Sequence, residues 1–583
     1  MMQRQPQNIT VDIDVPARMR DGTILRANIY RPAGEGRWPV LLTRLPYGKD
    51  LPLGGSVLDP VQAARRGYAV IVQDTRGCGA SDGDWYPFRS EADDGVDTIA
   101  WAADLPFSDG QVGMYGASYF GYTQWAAAVE QPPALKAMVP FITWADALNG
   151  LAFRGGALEL GTSANWNLMM GLGQLFRRHG RDPRALGPAL MAWAHESDAL
   201  GASGYAALPL AEFAPLRRQD VAPAFFDWMG APLDPAQEPY SYLTILGKHD
   251  QVQAPSLNVG GWYDIFLAGT ITNFQAMRAQ GKPAKLLIGP WTHGGTSNPI
   301  GKRNFGFRAQ AALIDLRMDF GSLQLRWFDH WLKGADTGMM AEAPIKLFVM
   351  GANVWRDEQE WPLARAVNTP WYLRTDGGLS QERPGSEESD RYDYDPADPT
   401  PTRGGALLMT PEYPSGPYDQ RVVEARPDVL VYHSAPLERD TEVTGPITVR
   451  LWAVSSAPDT DFVARLTDVF PDGPSINLTD GIVRARYRRL AQSDQGEAPS
   501  LIEPGRPYEY VIDLWATSNV FQRGHRIGLQ VTSSCFPRWD RNPNTGHPLG
   551  ADAELQVAHQ EILHDQEHPS HVVLPLVDAV AAG

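Results

Sequence analysis

The chain has 583 residues, beyond the length at which one hydrophobic core keeps growing, so several domains are expected. Its 51 Lys and Arg against 68 Asp and Glu leave a net charge of −17. That balance argues against nucleic acid or an anionic membrane as a partner and leaves small neutral or cationic ligands open.

The N-terminal stretch "MMQRQPQNITVDIDVPARM" lacks the apolar core of a secretory signal, and no run reaches the roughly 18 apolar residues of a membrane-spanning helix. Cys78 and Cys535 lie far apart and form no C-x-x-C pair, so free thiols in a reducing compartment are expected rather than a disulfide framework. The expectation is a soluble, cytoplasmic protein.

From Trp38 onward, short apolar runs alternate with amphipathic stretches: "WPVLLTR", "YAVIVQD", "VGMYG", "LKAMVPFI", and later "SLNVGGWYD" and "AKLLIGPW". This alternation predicts an α/β fold, a doubly wound and mainly parallel sheet covered by helices on both faces. Between the second and third runs, Val96, Ile99, Ala100 and Ala103 recur at helical spacing and predict a crossover helix over Glu91–Asp104.

The rhythm stops near Trp144 and resumes near Pro255. The intervening residues read as an inserted helical cap, with "NWNLMMGLGQLFRRH" and "PALMAWAHESDAL" as helices. Phe153, Trp166, Trp193, Phe225, Phe226 and Trp228 are more aromatics than so small a core requires. After "RMDFGSLQLRWFDHWLKG", a last helix of the α/β domain, the pattern shifts to short alternating runs such as "IKLFVMG", "PITVRLWAVS" and "HRIGLQVTSS". These predict an all-β sandwich or jelly roll. The expected division is an α/β domain in two parts, 1–146 and 250–343, a cap over 147–249 and a β domain over 344–583. Thr375–Gly405 reads as a polar surface excursion, and the four histidines of "HQEILHDQEHPSHVV" as a polar edge of the β domain.

Ser118 stands in "YGASYFGY", between an apolar run and an Ala-rich helical stretch. Strand, tight turn and helix are the context of a nucleophile elbow, although the motif G-x-S-x-G would place a glycine where Phe120 stands. A serine needs a base, and the base needs a partner to fix its tautomer. Asp264 and His293 follow two later apolar runs, so all three residues fall at carboxyl ends of predicted strands in the order Ser, Asp, His. Two oxyanion donors are expected: the backbone N–H of Tyr119, directly after the serine, and Tyr47 in "VLLTRLPYGKD".

Together "DTRGCGASDG", "GMYGASYFG", "GGWYD", "IGPWTHG", "FVMGANVWRDEQEWPL" and "NVFQRGHRIGLQVTSSCFPRWDRNPNTG" resemble the cocaine esterase/X-Pro dipeptidyl-peptidase family of serine hydrolases. The resemblance runs from about Asp12 to near the C-terminus and matches the cap only loosely. It implies an α/β-hydrolase domain, a helical cap and a C-terminal jelly roll. It places the family's elbow on Gly116, Ser118, Tyr119 and Gly121, its acid on Asp264, its base on His293 and its oxyanion tyrosine on Tyr47.

Where the family's α-amino acid ester hydrolases carry acidic residues after the catalytic acid, this chain has Phe266 and Leu267. The resemblance implies that Phe266, and Trp166 from the cap, line an apolar acyl pocket, and Phe266 with Leu267 would leave an ammonium group without charge partners. The reading is therefore a carboxylesterase for small neutral esters with an aromatic or aliphatic acyl part. An amidase or acylase resembling glutaryl-cephalosporin acylase is the alternative within the chemistry, and a noncatalytic carbohydrate- or peptide-binding protein the alternative outside it. The mechanism calls for no metal or organic cofactor, Asp74, Arg76 and Cys78 are assigned structural roles, and a homo-oligomer stays open.

Overall fold

The computed structural model describes residues 8–489 and 498–578; residues 1–7, on which part of the reading against a secretory leader rests, lie outside them. The first sheet is formed by β1 (Ile9–Arg18), β2 (Ile24–Pro32), β3 (Trp38–Leu45), β4 (Ala69–Asp74), β5 (Ser108–Ala117), β6 (Leu135–Phe141), β9 (Ser256–Tyr263), β10 (Ala284–Thr292), β11 (Ile345–Val349) and β12 (Val354–Glu358). Their spatial order is β1-β2-β4-β3-β5-β6-β9-β10-β11-β12. Neighbours from β4 through β11 run parallel, and the antiparallel pairs β1–β2, β2–β4 and β11–β12 lie outside that run. The continuous apolar runs follow from burial on both faces, and every residue of β4, β9 and β10 is buried.

Two expectations about this first domain are corrected. The run "IKLFVMG", assigned to the β domain beyond residue 343, is β11; it pairs with β10 and carries β12 with it, so the first sheet extends past that boundary. Its alternation of apolar residues cannot say which sheet a strand joins. The crossover helix α3 spans Glu91–Asp104 as expected, yet its buried face runs through Glu91, Asp94, Thr98, Ile99 and Ala102, while Ala100 is exposed. Two arginines turn it: Arg44 pairs with Glu91 and Arg76 with Asp94, drawing carboxylates inward against the apolar pattern.

Helices α1 (Leu53–Ser56), α2 (Pro60–Arg65), α4 (Tyr119–Val129), α9 (Leu267–Ala279) and α10 (Phe320–Lys333) complete this domain. The Asp319 side chain caps α10 through the Ser322 N–H, and Gly334 closes it at φ 62°. The cap contains a short hairpin, β7 (Phe153–Arg154) with β8 (Ala157–Leu158), and helices α5 (Leu160–His179), α6 (Pro183–Leu200), α7 (Ala214–Arg217) and α8 (Pro223–Gly230).

The C-terminal domain is an all-β unit built on an 11-stranded sheet among the described residues. Thr375–Gly405 is not only a surface excursion: Gly378–Ser380 and Asp390–Tyr394 are strands of that sheet, and Tyr392 and Tyr394 are buried. The strands on either side of the four-histidine stretch, Ala558–Leu563 and His571–Val577, lie inside the sheet, not at its edge, each pairing on two sides. His559, His564 and His568 pair with Asp393, Asp390 and Asp565, while His571 faces the Pro569 carbonyl. Among the described residues, no group of three or more His, Cys, Asp or Glu could hold a metal, and no helix is long and apolar enough to cross a membrane.

One apolar cluster runs through all three parts. Polar bonds reinforce the junctions: Trp539 Nε1 donates to Glu159 of the cap at 2.8 Å, and Tyr263 Oη donates to the Asn477 carbonyl at 3.2 Å.

Candidate active site

Ser118 joins the end of β5 to the start of α4 at φ 54°, ψ −119°. Such a backbone conformation costs on the order of 1–3 kcal/mol for a residue with a side chain, so its surroundings must hold it. The Ser118 N–H donates to the Phe141 carbonyl at 2.9 Å. Gly116, at φ 150°, lies so close to Phe120 that a Cβ there would meet the Phe120 carbonyl oxygen at 2.5 Å. A Cβ on Gly121 would stand 2.9 Å from the Thr143 Cβ and 3.0 Å from the Phe141 carbonyl oxygen. The glycine that arrives one place late in the motif is therefore the one that lets α4 press against the segment after β6.

Around this elbow, Asp264 follows β9 and His293 follows β10, two neighbouring parallel strands. His293 Nδ1 lies 2.6 Å from Asp264 Oδ1, and His293 Nε2 lies 3.0 Å from Ser118 Oγ. Asp264 is fully buried and its second oxygen accepts the Phe266 N–H at 3.1 Å. A buried carboxylate at Nδ1 fixes the hydrogen there, which leaves Nε2 as an acceptor for the serine hydroxyl. The arrangement has the parts of a nucleophile, a base and an orienting acid.

Tyr47 follows β3 and lines the same cavity and groove as Ser118. Trp166 Nε1 donates to the Tyr47 hydroxyl at 3.1 Å. Burial around that hydroxyl pushes its pKa up to about 12, so it stays a neutral donor. Tyr119 opens α4, where a backbone N–H has no intrahelical acceptor. Its side chain is anchored behind the elbow: the hydroxyl donates to Glu91 Oε1 at 2.8 Å and accepts the Phe88 N–H at 3.0 Å. Burial first, and then the charge of Glu91, hold this phenol well above its ordinary pKa. Arg44 Nη1 donates to the other Glu91 oxygen at 2.8 Å, completing a buried Arg44–Glu91–Tyr119 chain.

Two spaces meet at Ser118. One is a narrow cavity lined mainly by Phe88, Trp144, Leu151, Trp166, Trp228, Ile265, Phe266 and Leu408, with Thr162, Ser163 and Asn167 among them. The other is a wider groove, open to solvent, whose walls include His293, Gly294, Ala311, Phe320 and Met169. Among the described residues, no charged side chain lines the smaller cavity. The Phe266 ring stands edge-to-face with the His293 ring at a centroid separation of 5.2 Å, and its centroid lies 5.0 Å from that of Trp144.

Of the expected pocket residues, Phe266 and Trp166 line this cavity and Leu267 does not. Leu267 begins α9 and is buried in the core, because the turn into the helix sends successive side chains in different directions. Phe88, held at φ 68° and stacked 4.3 Å from Tyr119, was not signalled by any motif. Neither was Leu408, by which the β domain walls one side of the cavity.

The "DTRGCG" loop is structural: Asp74 accepts the Lys49 and Ala80 N–H groups at 2.6 and 2.9 Å, and Arg76 binds Asp94 and Asp21. Burial pushes the Cys78 thiol up to about 12, far from a neutral-pH thiolate.

Comparison with known proteins places this geometry. The profile of X-Pro dipeptidyl-peptidases (S15 family) matches residues 21–295, and that of the X-Pro dipeptidyl-peptidase C-terminal non-catalytic domain matches residues 337–573. A protein named cocaine esterase from Rhodococcus sp. (strain MB1 Bresler) is 39% identical over 98% of this chain and 99% of its own length. Among solved structures, an α-amino acid ester hydrolase superposes with a TM-score of 0.80 at 26% identity, covering 98% of this chain and 97% of its own. An aminopeptidase from the marine sediment archaeon Thaumarchaeota archaeon superposes with a TM-score of 0.79 at 26% identity over the same shares.

Proposed function

The chain belongs to the cocaine esterase/X-Pro dipeptidyl-peptidase (S15) family of serine hydrolases, and from that premise we propose that it cleaves small neutral carboxylic esters through an acyl-enzyme on Ser118. The observation that carries this reading is the hydrogen-bonded line Ser118–His293–Asp264 opening onto an aromatic cavity without a charged side chain.

The ester's acyl part lies in the smaller cavity and its alcohol part in the wider groove. Ser118 Oγ attacks the carbonyl carbon while His293 Nε2 takes its proton, and Asp264 stabilises the imidazolium. The carbonyl oxygen, now an anion, is bound by the Tyr47 hydroxyl and the Tyr119 N–H. Collapse breaks the bond to the alcohol oxygen, which receives the proton from His293. Water, deprotonated by His293 in turn, attacks the acyl-enzyme and releases the acid and Ser118.

Amide cleavage, the second reading, is supported by the likeness to an aminopeptidase. Against an α-amino acyl or glutaryl substrate stands the uncharged lining, which offers no partner to an ammonium or carboxylate. A panel of matched esters and anilides with benzoyl, aliphatic, glutaryl and α-amino acyl groups, run on the wild type and Ser118→Ala, tests the reading. Neutral esters are expected to turn over fastest and to depend on Ser118. Preferred cleavage of anilides, or of a charged acyl group, would overturn it.

A further inference from the structure

The acyl cavity is not uniformly apolar. Helix α5 turns Thr162, Ser163, Trp166 and Asn167 toward it, residues one helical turn apart on one face. The Asn167 side chain is fully buried, and its Nδ2 donates to the Ser163 carbonyl at 2.9 Å. That bond fixes the orientation of the amide, because the Ser163 carbonyl can only accept. Asn167 Oδ1 is then a buried acceptor, and among the described residues it has no hydrogen-bond partner. Buried polar atoms are almost always paired, and among the described residues Asn167 Oδ1 is the unpaired one whose residue lines this cavity.

We propose that the cavity is built for a neutral acyl group carrying its own hydrogen-bond donor, a hydroxyl or N–H, which Asn167 Oδ1 accepts with Thr162 and Ser163 as polar neighbours. A hydroxyaryl acyl group has the required chemistry: its ring packs among Phe88, Trp144 and Phe266, and its hydroxyl meets the acceptor. A charged group does not, because the lining supplies no counter-charge. The inference rests on the esterase reading and deepens it. It changes the expected substrate from a plain hydrocarbon acyl group to one with a donor.

The test compares 4-nitrophenyl esters of 2-, 3- and 4-hydroxybenzoic acid with the matching methoxybenzoates and with benzoate. A methoxy group resembles a hydroxyl electronically but has no hydrogen to donate. A site that hydrogen-bonds a substrate hydroxyl rejects analogues lacking it, so in the wild type at least one hydroxy isomer should exceed its methoxy partner about tenfold or more in kcat/KM. Asn167→Leu should erase that ratio, and Thr162→Val should reduce it. Thermal unfolding of each variant identifies any loss of fold, while the wild-type ratio decides the matter without variants. Equal rates for hydroxy and methoxy esters in the wild type, or a preference surviving Asn167→Leu, would overturn the inference and leave the esterase reading intact. Failure of the wild type to cleave any of these esters would overturn both.

Discussion

Trp166 Nε1 donates its hydrogen to the Tyr47 hydroxyl at 3.1 Å. An indole nitrogen can only donate, so Tyr47 must accept from it and keeps its own hydrogen for the oxygen bound beside Ser118. The cap helix α5 thus supplies both a wall of the acyl cavity and the bond that aims an oxyanion donor. Tyr47→Phe should lower kcat by about 10²–10³-fold. Trp166→Phe, which keeps an aromatic wall, should lower it by about 3–10-fold through loss of one neutral hydrogen bond. In a Tyr47→Phe background the Trp166→Phe change should have no further effect on kcat; additive losses in this double-mutant cycle would contradict the coupling.

The same phenol sets a pH dependence. Its folded-state pKa lies at about 12, above the ordinary value of 10 for the unfolded chain. The folded protein therefore retains a proton that the unfolded chain releases. The associated stability is fully present below pH 10 and is lost as pH rises toward 12. Denaturant titrations at pH 9 and pH 11 should show a smaller loss of stability for Tyr47→Phe than for the wild type. Other buried tyrosines, Tyr115 and Tyr119 among them, act in the same direction in both proteins and cancel in the comparison.

Behind the elbow, Arg44 and Glu91 form an ion pair with both side chains almost wholly buried. Glu91→Ala leaves the Arg44 charge unpaired and should cost about 3–5 kcal/mol, read as a lower urea midpoint with an unchanged slope. Arg44→Met combined with Glu91→Leu should recover much of that loss. A single variant as stable as the wild type would show that the pair does not hold α3 against the elbow.

The acyl cavity should discriminate by charge. Benzoyl esters should exceed phenylglycyl esters of the same alcohol by about tenfold or more in kcat/KM, because an ammonium group would be desolvated without a carboxylate partner. Phe266→Asp should narrow or reverse the ratio. An unaltered ratio in that variant would mean that Phe266 does not face the acyl group.

The convergence of Ser118, Asp264 and His293, the proposed reacting residues, was legible because each sits in a short motif whose chemistry is local. Ser118, Asp264 and His293 end apolar runs, and parallel strands bring such ends together without further information. The cavity was legible only in part, because its walls come from tertiary packing. Leu408 is remote in sequence from every motif, and Phe88 depends on an unusual backbone angle. Thr162, Ser163 and Asn167 have the polarity of a solvent face, yet α5 points them inward. The same override turned α3, where Arg44 and Arg76 buried two carboxylates that periodicity assigned to the surface. The strands Asp390–Tyr394 and His571–Val577 were read as part of an excursion and an edge because their pairing partners lie far along the chain.

The central claim is an acyl-enzyme on Ser118, and intact-protein mass spectrometry during turnover of a slowly deacylating benzoate ester tests it most directly. A mass increase equal to the acyl group should appear and map by proteolysis to the peptide containing Ser118. It should be absent in Ser118→Ala, whose hydrolysis rate should fall by about 10⁴-fold or more. An adduct on another residue, or wild-type hydrolysis by Ser118→Ala, would contradict it.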